Sequence, residues 1–349
     1  MSLPRIDERY LKTSLVDLLN IPGPTGFADA AIAWTEAAVA ALDLPHERTR
    51  KGALVATLAG QSDSAPRALT GHVDTLGAMV KEIKGNGRLK LTKIGGFAWN
   101  TVEGEGCRVF TRPGRVISGS FLLNQASGHV YGQAVNKTLR DDATMEVRLD
   151  ERTSSAAETR ALGIEVGDFV AFDPRVVVTE SGFIRSRHLD DKACVAAMLA
   201  AVKALQDAGL TPAQRTTLHF SNYEEVGHGA ASGFPPDLAE LVVVDMAAVG
   251  AGQTSDEFHV TICVKDSGGP YHHGLSNRLR NLADERSIPY KVDIYPYYGS
   301  DGEAFWRAGG DVQVALIGPG VDASHNYERT HMDALIGTTQ LILAYLLGE

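Results

Sequence analysis

One stretch of the chain, HLDDKACVAAMLAAVKAL at residues 188–205, limits the possible folds more than any other. Two adjacent carboxylates, Asp190 and Asp191, are followed at once by a long, alanine-rich apolar segment. This pattern predicts a helix that runs to about Asp207 and ends before Gly209. Acidic side chains at the start of a helix interact favourably with its dipole, so a purely structural role for both acids is one interpretation.

Strand-like and helix-like segments alternate on both sides of a region that has a different pattern of apolar residues. Amphipathic or alanine-rich segments near residues 6–20 and 27–42 predict helices, and apolar runs such as TTLHFSNY and ELVVVDM predict strands. We therefore expect an α/β fold with a mixed central sheet and helices on both of its faces.

Helical periodicity is lost from about Val80 to Pro174, where short strand-like pieces are separated by Gly, Asn and Asp turns. Roughly ninety residues are enough for an independent structural unit. We predict a small all-β, barrel-like domain at residues 80–174, inserted into an α/β catalytic domain that consists of residues 1–79 and 175–349.

Composition argues against several classes of protein. The net charge of −10 has no compensating basic block, which disfavours nucleic acid as a partner. No apolar run approaches the roughly 18 residues of a membrane span, and the N-terminus lacks a signal-peptide pattern. Three widely separated cysteines without a CxxC motif make a disulfide framework unexpected. We therefore expect a cytoplasmic protein without a membrane partner.

Acidic and imidazole side chains stand at or just after the ends of strand-like runs. They are His72 and Asp74 in GHVDTLG, Glu224 and Glu225 in NYEEVG, Asp245 in VVVDMA, and His331 in ERTHMDA. Open α/β sheets bind ligands at this place, beyond the carboxyl ends of strands. Each residue alone has a plainer interpretation, as part of a solvated turn, as a helix cap or as a core histidine. Their joint occurrence with Asp190 favours a metal centre.

The set matches the needs of a dinuclear hydrolytic site. We predict that Asp190 bridges two divalent ions, with His72 and Asp245 on one ion and Glu225 and His331 on the other. Imidazole ligands favour zinc or cobalt over magnesium.

A separate acid must take a proton from the attacking water and pass it to the leaving amine. Glu224 and Glu225 suit this division of labour, one as a ligand and one as the free base, and their spacing leaves open which is which. Asp74 lies two residues after His72, on the same face of a strand. It is placed to orient the imidazole through the other ring nitrogen.

These motifs resemble those of the family 42 metallo-aminopeptidases, which include glutamyl and deblocking aminopeptidases and the tetrahedral TET particles. The resemblance covers essentially the whole chain, from LLNIPGPTGF to the last helix. It implies a zinc-exopeptidase-like fold, two divalent ions per subunit, Glu224 as general base, Glu225 as ligand and His331 in the place of the final histidine. It also implies that the β-rich insert is a dimerisation domain in a dimer-based homo-oligomer of up to twelve subunits, with short peptides as substrates.

The substrate pocket is suggested by weaker signals. GSDGEAF, with Asp301, looks like the GTDA loop that this family places beside the substrate, although Ser and a following Gly–Glu depart from it. His272 in SGGPYHHG and Gly318 in VQVALIGPG are further candidates. The last motif, HMDAL, also departs from the HSPxE that is common in the family, which affects the shape of the pocket.

The main prediction is a metal-dependent aminopeptidase for short peptides. SHNYERTHMDAL also looks like a subgroup associated with the osmoprotectant N-acetylglutaminylglutamine amide, which implies a specialised hydrolase of a small blocked or amidated peptide. Paired carboxylates serve glycoside hydrolysis too, but that reaction leaves His72, Asp245 and His331 without a role. A metal-binding scaffold without catalysis is the third alternative. The roles of His188, His228 and His273 stay open.

Overall fold

A large mixed sheet and a small closed barrel make up residues 3–348, which the computed structural model describes. The sheet has 13 strands and carries the long helices, whereas the barrel has six strands that all pair antiparallel. The predicted fold class, a mixed α/β domain with an inserted all-β barrel, is confirmed.

The strands are β1 (His46–Arg48), β2 (Leu54–Leu58), β3 (Ser62–His72), β4 (Gly77–Ile83), β5 (Leu89–Ile94), β6 (Gly106–Phe110), β7 (Val116–Leu123), β8 (Met145–Leu149), β9 (Phe169–Phe172), β10 (Val177–Val178), β11 (Phe183–Ser186), β12 (Gln214–Ser221), β13 (Glu240–Val244), β14 (Ala247–Val249), β15 (Val260–Asp266), β16 (Gly269–Pro270), β17 (Tyr290–Ile294), β18 (Gln313–Asp322) and β19 (Glu328–His331).

The helices are α1 (Glu8–Leu19), α2 (Asp29–Ala41), α3 (Gly128–Tyr131), α4 (Ala134–Lys137), α5 (Ala156–Ala161), α6 (Leu189–Asp207), α7 (His273–Glu285), α8 (Asp301–Arg307) and α9 (Met332–Leu347). Single 3₁₀ turns lie at Trp99–Thr101, Glu224–Val226 and Gly229–Ala231. Within residues 3–348, none of the helices has the length and apolar character needed to cross a bilayer.

Four parallel strands, in the order β12, β3, β13 and β18, form the middle of the large sheet. Successive residues of a strand point to opposite faces. In β13, Val242 and Val244 accordingly join the core cluster of α1, α6 and α9, whereas Leu241 and Val243 join a second cluster with Phe305 of α8. Because helices cover both faces, β13 is buried along its whole length, and β3 and β12 are buried in their second halves.

Helix α6 is the buried centre of this domain, with every residue from Leu189 to Val202 buried. The backbone at Asp190 and Asp191 is not helical, and the peptide bond between them is cis. The regular helix therefore begins after the two acids, which stand in the preceding turn. Its predicted end near Asp207 is confirmed.

The barrel closes in the order β4, β5, β8, β7, β6, β9 around its own apolar core, which includes Phe121, Val147 and Val170. Its strands run from Gly77 to Phe172. The insert was predicted at residues 80–174, so the first barrel strand begins three residues before the predicted start. The short helices α3, α4 and α5 inside the insert were not predicted. They are four to six residues long, too short to give a helical periodicity in the sequence.

Candidate metal centre

The candidate site lies at the carboxyl end of the parallel strands. β3 ends at His72, Asp245 follows β13 directly, and β12 leads into the turn Glu224–Val226. These three strands are parallel neighbours, so their ends meet at one edge of the sheet. The turn that precedes α6 brings Asp190 to the same edge, within 3.2 Å of His72. Residues far apart in the sequence thus converge as the strand pattern predicts.

Asp190 stands between two groups of ligand-type atoms. Its Oδ1 lies 3.2 Å from Nε2 of His72, and Asp245 completes a group whose ligand atoms all lie within 4.8 Å of one another. Its Oδ2 lies 3.3 Å from Nε2 of His325, and Glu225 completes the second such group. The two oxygens of one carboxylate therefore face two different sets of ligands, which is the arrangement a bridging acid requires.

His325, and not His331, belongs to the second group. Nε2 of His331 lies 2.8 Å from the carbonyl oxygen of Ser181, and its Nδ1 accepts the amide of Asp333 at 3.1 Å. Its ring packs edge-on against Phe183. Nδ1 thus caps α9 and Nε2 is bound to Ser181, so the structure keeps the predicted ligand His331 out of both groups and brings His325 to that place instead.

Both imidazoles of the centre are oriented through their other nitrogen. Nδ1 of His72 donates to the backbone carbonyl of Asp74 at 2.9 Å, and Nδ1 of His325 donates to the carbonyl of Gly96. A carbonyl only accepts, so in a neutral ring the lone pair of Nε2 points at Asp190. Either a proton on Nε2 or a metal ion between the two atoms removes the repulsion between this lone pair and the carboxylate. The donor set therefore fits metal ions.

The pKa values of the acids indicate an excess of negative charge. Burial and the Asp190 carboxylate raise the pKa of Asp245 to about 8, and burial raises the pKa of Glu225 to about 8 against the effect of His325. Burial opposes protonation of His325, but the adjacent acids Asp190 and Glu225 raise its pKa to about 10. Oδ1 of Asp245 is buried and has no hydrogen-bond partner among residues 3–348. Divalent cations would balance this charge.

Glu224 lies beside the first group but outside both. Its Oε2 is 3.6 Å from Nε2 of His72, and its side chain is 13% exposed. Burial raises the pKa of its carboxyl group well above the ordinary value, although His72 opposes the shift. A carboxyl group that is close to the ligands but not among them is placed as a general base must be.

Asp74 links the imidazole of His72 to the turn that carries Glu224 and Glu225. Its Oδ1 accepts the amide of Glu224 at 3.3 Å and lies 3.5 Å from Nδ1 of His72. Its Oδ2 accepts the hydroxyl of Thr25 at 2.6 Å and the amide of Glu225 at 3.4 Å. One fully buried carboxylate thus holds the imidazole and the Glu224–Glu225 turn together. This geometry agrees with an orienting role.

Glu328 is a residue of the site that the sequence did not reveal. Its Oε2 accepts the amide of Asp190 at 3.1 Å, and its Oε1 accepts the amide of His325 at 3.1 Å. It therefore ties the bridging acid to the second histidine. The available signal, an acid three residues after a histidine, is too common to be recognised. Asp191 acts similarly, since its Oδ2 accepts the amide of His72 at 3.1 Å.

The predicted substrate residue Asp301 does not line the cavity above this centre. It is buried, its Oδ1 accepts the amide of Ala230 at 2.7 Å, and its Oδ2 accepts the hydroxyl of Ser221. Both oxygens are thus satisfied within the protein. Asp301 holds the segment after β12 in place, and the structure does not bring it to the cavity, where a substrate contact was predicted.

His272 and Gly318 likewise lie outside the cavity lining. Nδ1 of His272 accepts the amide of Leu275 at 3.2 Å, so this residue caps α7. A Cβ at position 318 would lie 1.8 Å from the carbonyl oxygen of Asp245, so Gly318 allows β18 to approach the end of β13 closely. The structure thus gives both residues structural contacts and does not place them at the cavity, where substrate contacts were predicted.

A cavity of about 750 Å³ opens onto the metal centre. Besides the centre itself, it is lined by Tyr295, Tyr297, Tyr298, Glu303 and Arg307. The guanidinium of Arg307 pairs with the Glu303 carboxylate at 2.5 Å, so the charges of this wall cancel. The size lies within the range of small-molecule pockets.

The three histidines whose roles were open belong to neither ligand group. The buried ring of His188 stacks on Phe172, and the ring of His228 stacks on Tyr223. His273 lies in the first turn of α7. These contacts give the first two histidines packing roles at the rim of the site.

Comparisons with known proteins cover both domains. A family model described as M42 glutamyl aminopeptidase matches residues 52–341. The protein named "Putative aminopeptidase YhfE" of Bacillus subtilis (strain 168) is 49% identical over 330 residues, which are 95% of this chain and 95% of that protein. The glutamyl aminopeptidase of Lactococcus lactis subsp. cremoris (strain MG1363) is 25% identical over 324 residues, 89% of this chain and 88% of its own length.

Among solved structures, the TET1 peptidase of Pyrococcus horikoshii, which can assemble into a tetrahedron or a large octahedral shell, superimposes with a TM-score of 0.84. The match covers 97% of this chain and 100% of that chain at 20% sequence identity. At this identity the similarity shows the fold, including the barrel insert.

Proposed function

This chain belongs to the M42 glutamyl aminopeptidase family, and from that premise we propose that it removes N-terminal residues from short peptides with the help of two divalent metal ions. The family assignment supports a metal-dependent aminopeptidase. The observation that carries the finer proposal is the position of Asp190, whose two carboxylate oxygens face separate ligand groups.

The proposed ligands form two sets that share Asp190. His72 and Asp245 complete the first set, and Glu225 and His325 complete the second. Imidazole together with carboxylate suits zinc or cobalt. When bound, such a pair of ions polarises the scissile carbonyl and lowers the pKa of a water molecule.

Glu224 is the proposed proton carrier. Its carboxylate accepts a proton as the water oxygen forms its bond to the carbonyl carbon. It then donates that proton to the peptide nitrogen as the carbon–nitrogen bond breaks, so the acid is regenerated as a carboxylate. The hydrogen bond from the Glu224 amide to Asp74 fixes the backbone of Glu224 beside His72.

A chelation experiment tests the proposed function. Protein treated with a chelator should no longer release amino acids from aminoacyl anilides and short peptides, and added zinc or cobalt should restore this activity. The reason is that the proposed reaction needs metal ions to polarise the carbonyl and to lower the pKa of the water. Release is measured before and after metal addition, with glycosyl anilides assayed in parallel. Unchanged peptidase activity in the chelated protein, or metal-independent glycoside cleavage, would refute the proposal.

Activity assays and metal-binding measurements on the same protein also test the two alternative functions. Cleavage of blocked or amidated small peptides, with free peptides left intact, would favour the specialised hydrolase. Binding of metal without any turnover would favour an inactive scaffold. The presence of Glu224 and of complete ligand groups supports an active enzyme.

We further propose a homo-oligomer that associates through the barrel. Its surface exposes the large apolar side chains Val116, Val130 and Leu139, of which Val130 is 71% and Leu139 is 73% exposed. Exposed apolar side chains mark an interface where they form a contiguous patch, and we propose that these three belong to one. Sedimentation should give a mass of at least two subunits, and Val130→Asp should lower it. A monomeric wild-type protein would contradict this proposal.

A cytoplasmic location is also part of the proposal. Its support is that Cys107, Cys194 and Cys263 are all unpaired and buried, as is usual in a reducing compartment.

A further inference from the structure

The loop that carries His325, residues 323–327, has a backbone that needs external support. Ala323 and His325 both have positive φ, 56° and 61°, which is uncommon for residues other than glycine. Residues in such conformations persist when the surrounding contacts hold them. Those contacts come from Glu328 on one side and from the barrel on the other.

Arg187 connects the barrel to this loop. Its guanidinium donates to the carbonyl oxygen of Asn326 at 3.2 Å and to the carbonyl of Thr101, and it pairs with the Glu105 carboxylate at 3.3 Å. Arg187 is only 2% exposed. A cation buried to this degree needs its anionic partner, so Glu105 of the barrel fixes the direction in which Arg187 points.

Arg175 forms a second connection from the same acid. Its guanidinium pairs with Glu105 at 2.6 Å and lies 4.0 Å above the ring of Tyr327. The hydroxyl of Tyr327 donates to the carbonyl oxygen of Arg175 at 2.9 Å. Glu105 therefore holds two arginines, and they contact the two residues that follow His325 in the loop, Asn326 and Tyr327.

We propose that Glu105, Arg175 and Arg187 form a strap through which the barrel positions His325 for metal binding. The inference rests on the proposed dinuclear function, and it gives the barrel a role inside one subunit in addition to association. The three residues are positioning residues, since they belong to neither ligand group. Only the ion held by Glu225 and His325 should depend on the strap.

Two matched variants test this strap. Glu105→Gln removes the charge that holds both arginines, whereas Glu103→Gln changes an acid two residues away that pairs with Arg140, at 2.7 Å, and not with the strap. In metal-free protein, amide hydrogen exchange across residues 323–328 should accelerate in Glu105→Gln and stay unchanged in Glu103→Gln. In metal titrations, the second ion should bind about tenfold more weakly in that variant, as for other residues that orient ligands, with the first ion unchanged.

Kinetics provide a further readout that a general loss of stability would not give. With saturating metal, kcat of Glu105→Gln should return to nearly the wild-type value, because the base and the ligands are intact. Tyr327→Ala, at a partly exposed position, should show the same exchange pattern even if Glu105→Gln folds poorly.

The outcomes separate the two proposals. Wild-type protein that binds no metal refutes the proposed function. Wild-type protein that binds two ions, with Glu105→Gln and Tyr327→Ala indistinguishable from Glu103→Gln in exchange and in metal affinity, overturns the strap alone.

Discussion

The Glu224→Gln enzyme is expected to lose about 10²- to 10⁴-fold in kcat while keeping its full metal content. Glutamine preserves the size and polarity of the side chain but cannot accept the proton of the attacking water. Because Glu224 lies outside both ligand groups, its replacement removes no metal ligand. Steady-state kinetics on an aminoacyl anilide, combined with metal analysis of the same preparation, would measure both quantities.

The control for this experiment is Glu103→Gln, which carries the same chemical change at a barrel ion pair. It should leave kcat and metal content unchanged. A Glu224→Gln protein with wild-type kcat would show that another group carries the proton. If it retained less than the wild-type amount of metal, Glu224 would be a ligand and the division between the two glutamates would have to be reversed.

The central part of the site could be predicted because it depends on periodic features of the sequence. Apolar runs define the parallel strands, and His72, Asp245 and the Glu224–Glu225 pair lie directly at or just after their carboxyl ends. Parallel strands in one sheet end at the same edge, so this convergence follows from topology alone. Asp190 was predictable from another periodic feature, since it lies just before a helix whose apolar pattern is clear.

The final histidine could not be predicted because a loop, rather than a strand or helix, places it. Two histidines, His325 and His331, lie six residues apart in this part of the chain, and His331 is the one at a recognisable helix start. The left-handed backbone at His325 turns that side chain toward Asp190, and the residue type alone does not predict such a conformation. Contacts with Gly96 and Glu328 fix it, and both depend on the tertiary fold.

The lining of the cavity was not predicted, for a related physical reason. Asp301 is an acid at the start of α8 near the site, but Ser221 and the Ala230 amide satisfy it internally. Whether a polar side chain faces a cavity or a backbone amide depends on packing that sequence spacing does not determine. The cavity is instead lined by Tyr295, Tyr297 and Tyr298, which follow the end of β17.

A comparison of His325→Ala with His331→Ala is expected to give the second large effect. Loss of His325 removes a ligand of the second group, so affinity for one ion should fall by more than the roughly 100-fold ascribed to outer-shell partners, and activity should fall with it. Loss of His331 removes the cap of α9, which is worth about 1 kcal/mol, and should lower Tm by a few degrees without changing metal binding. Metal titration and thermal melting of both variants would measure these quantities.

Added imidazole distinguishes a missing ligand from a damaged fold in this experiment. The His325 side chain is 39% exposed and lines the cavity, so free imidazole can reach the space that His325→Ala leaves. It should partly restore the activity of that variant and should not affect His331→Ala, whose ring is replaced at a helix cap. If His331→Ala lost the metal and His325→Ala retained it, the ligand assignment would return to His331, and the geometry around Asp190 would have to differ from the one described.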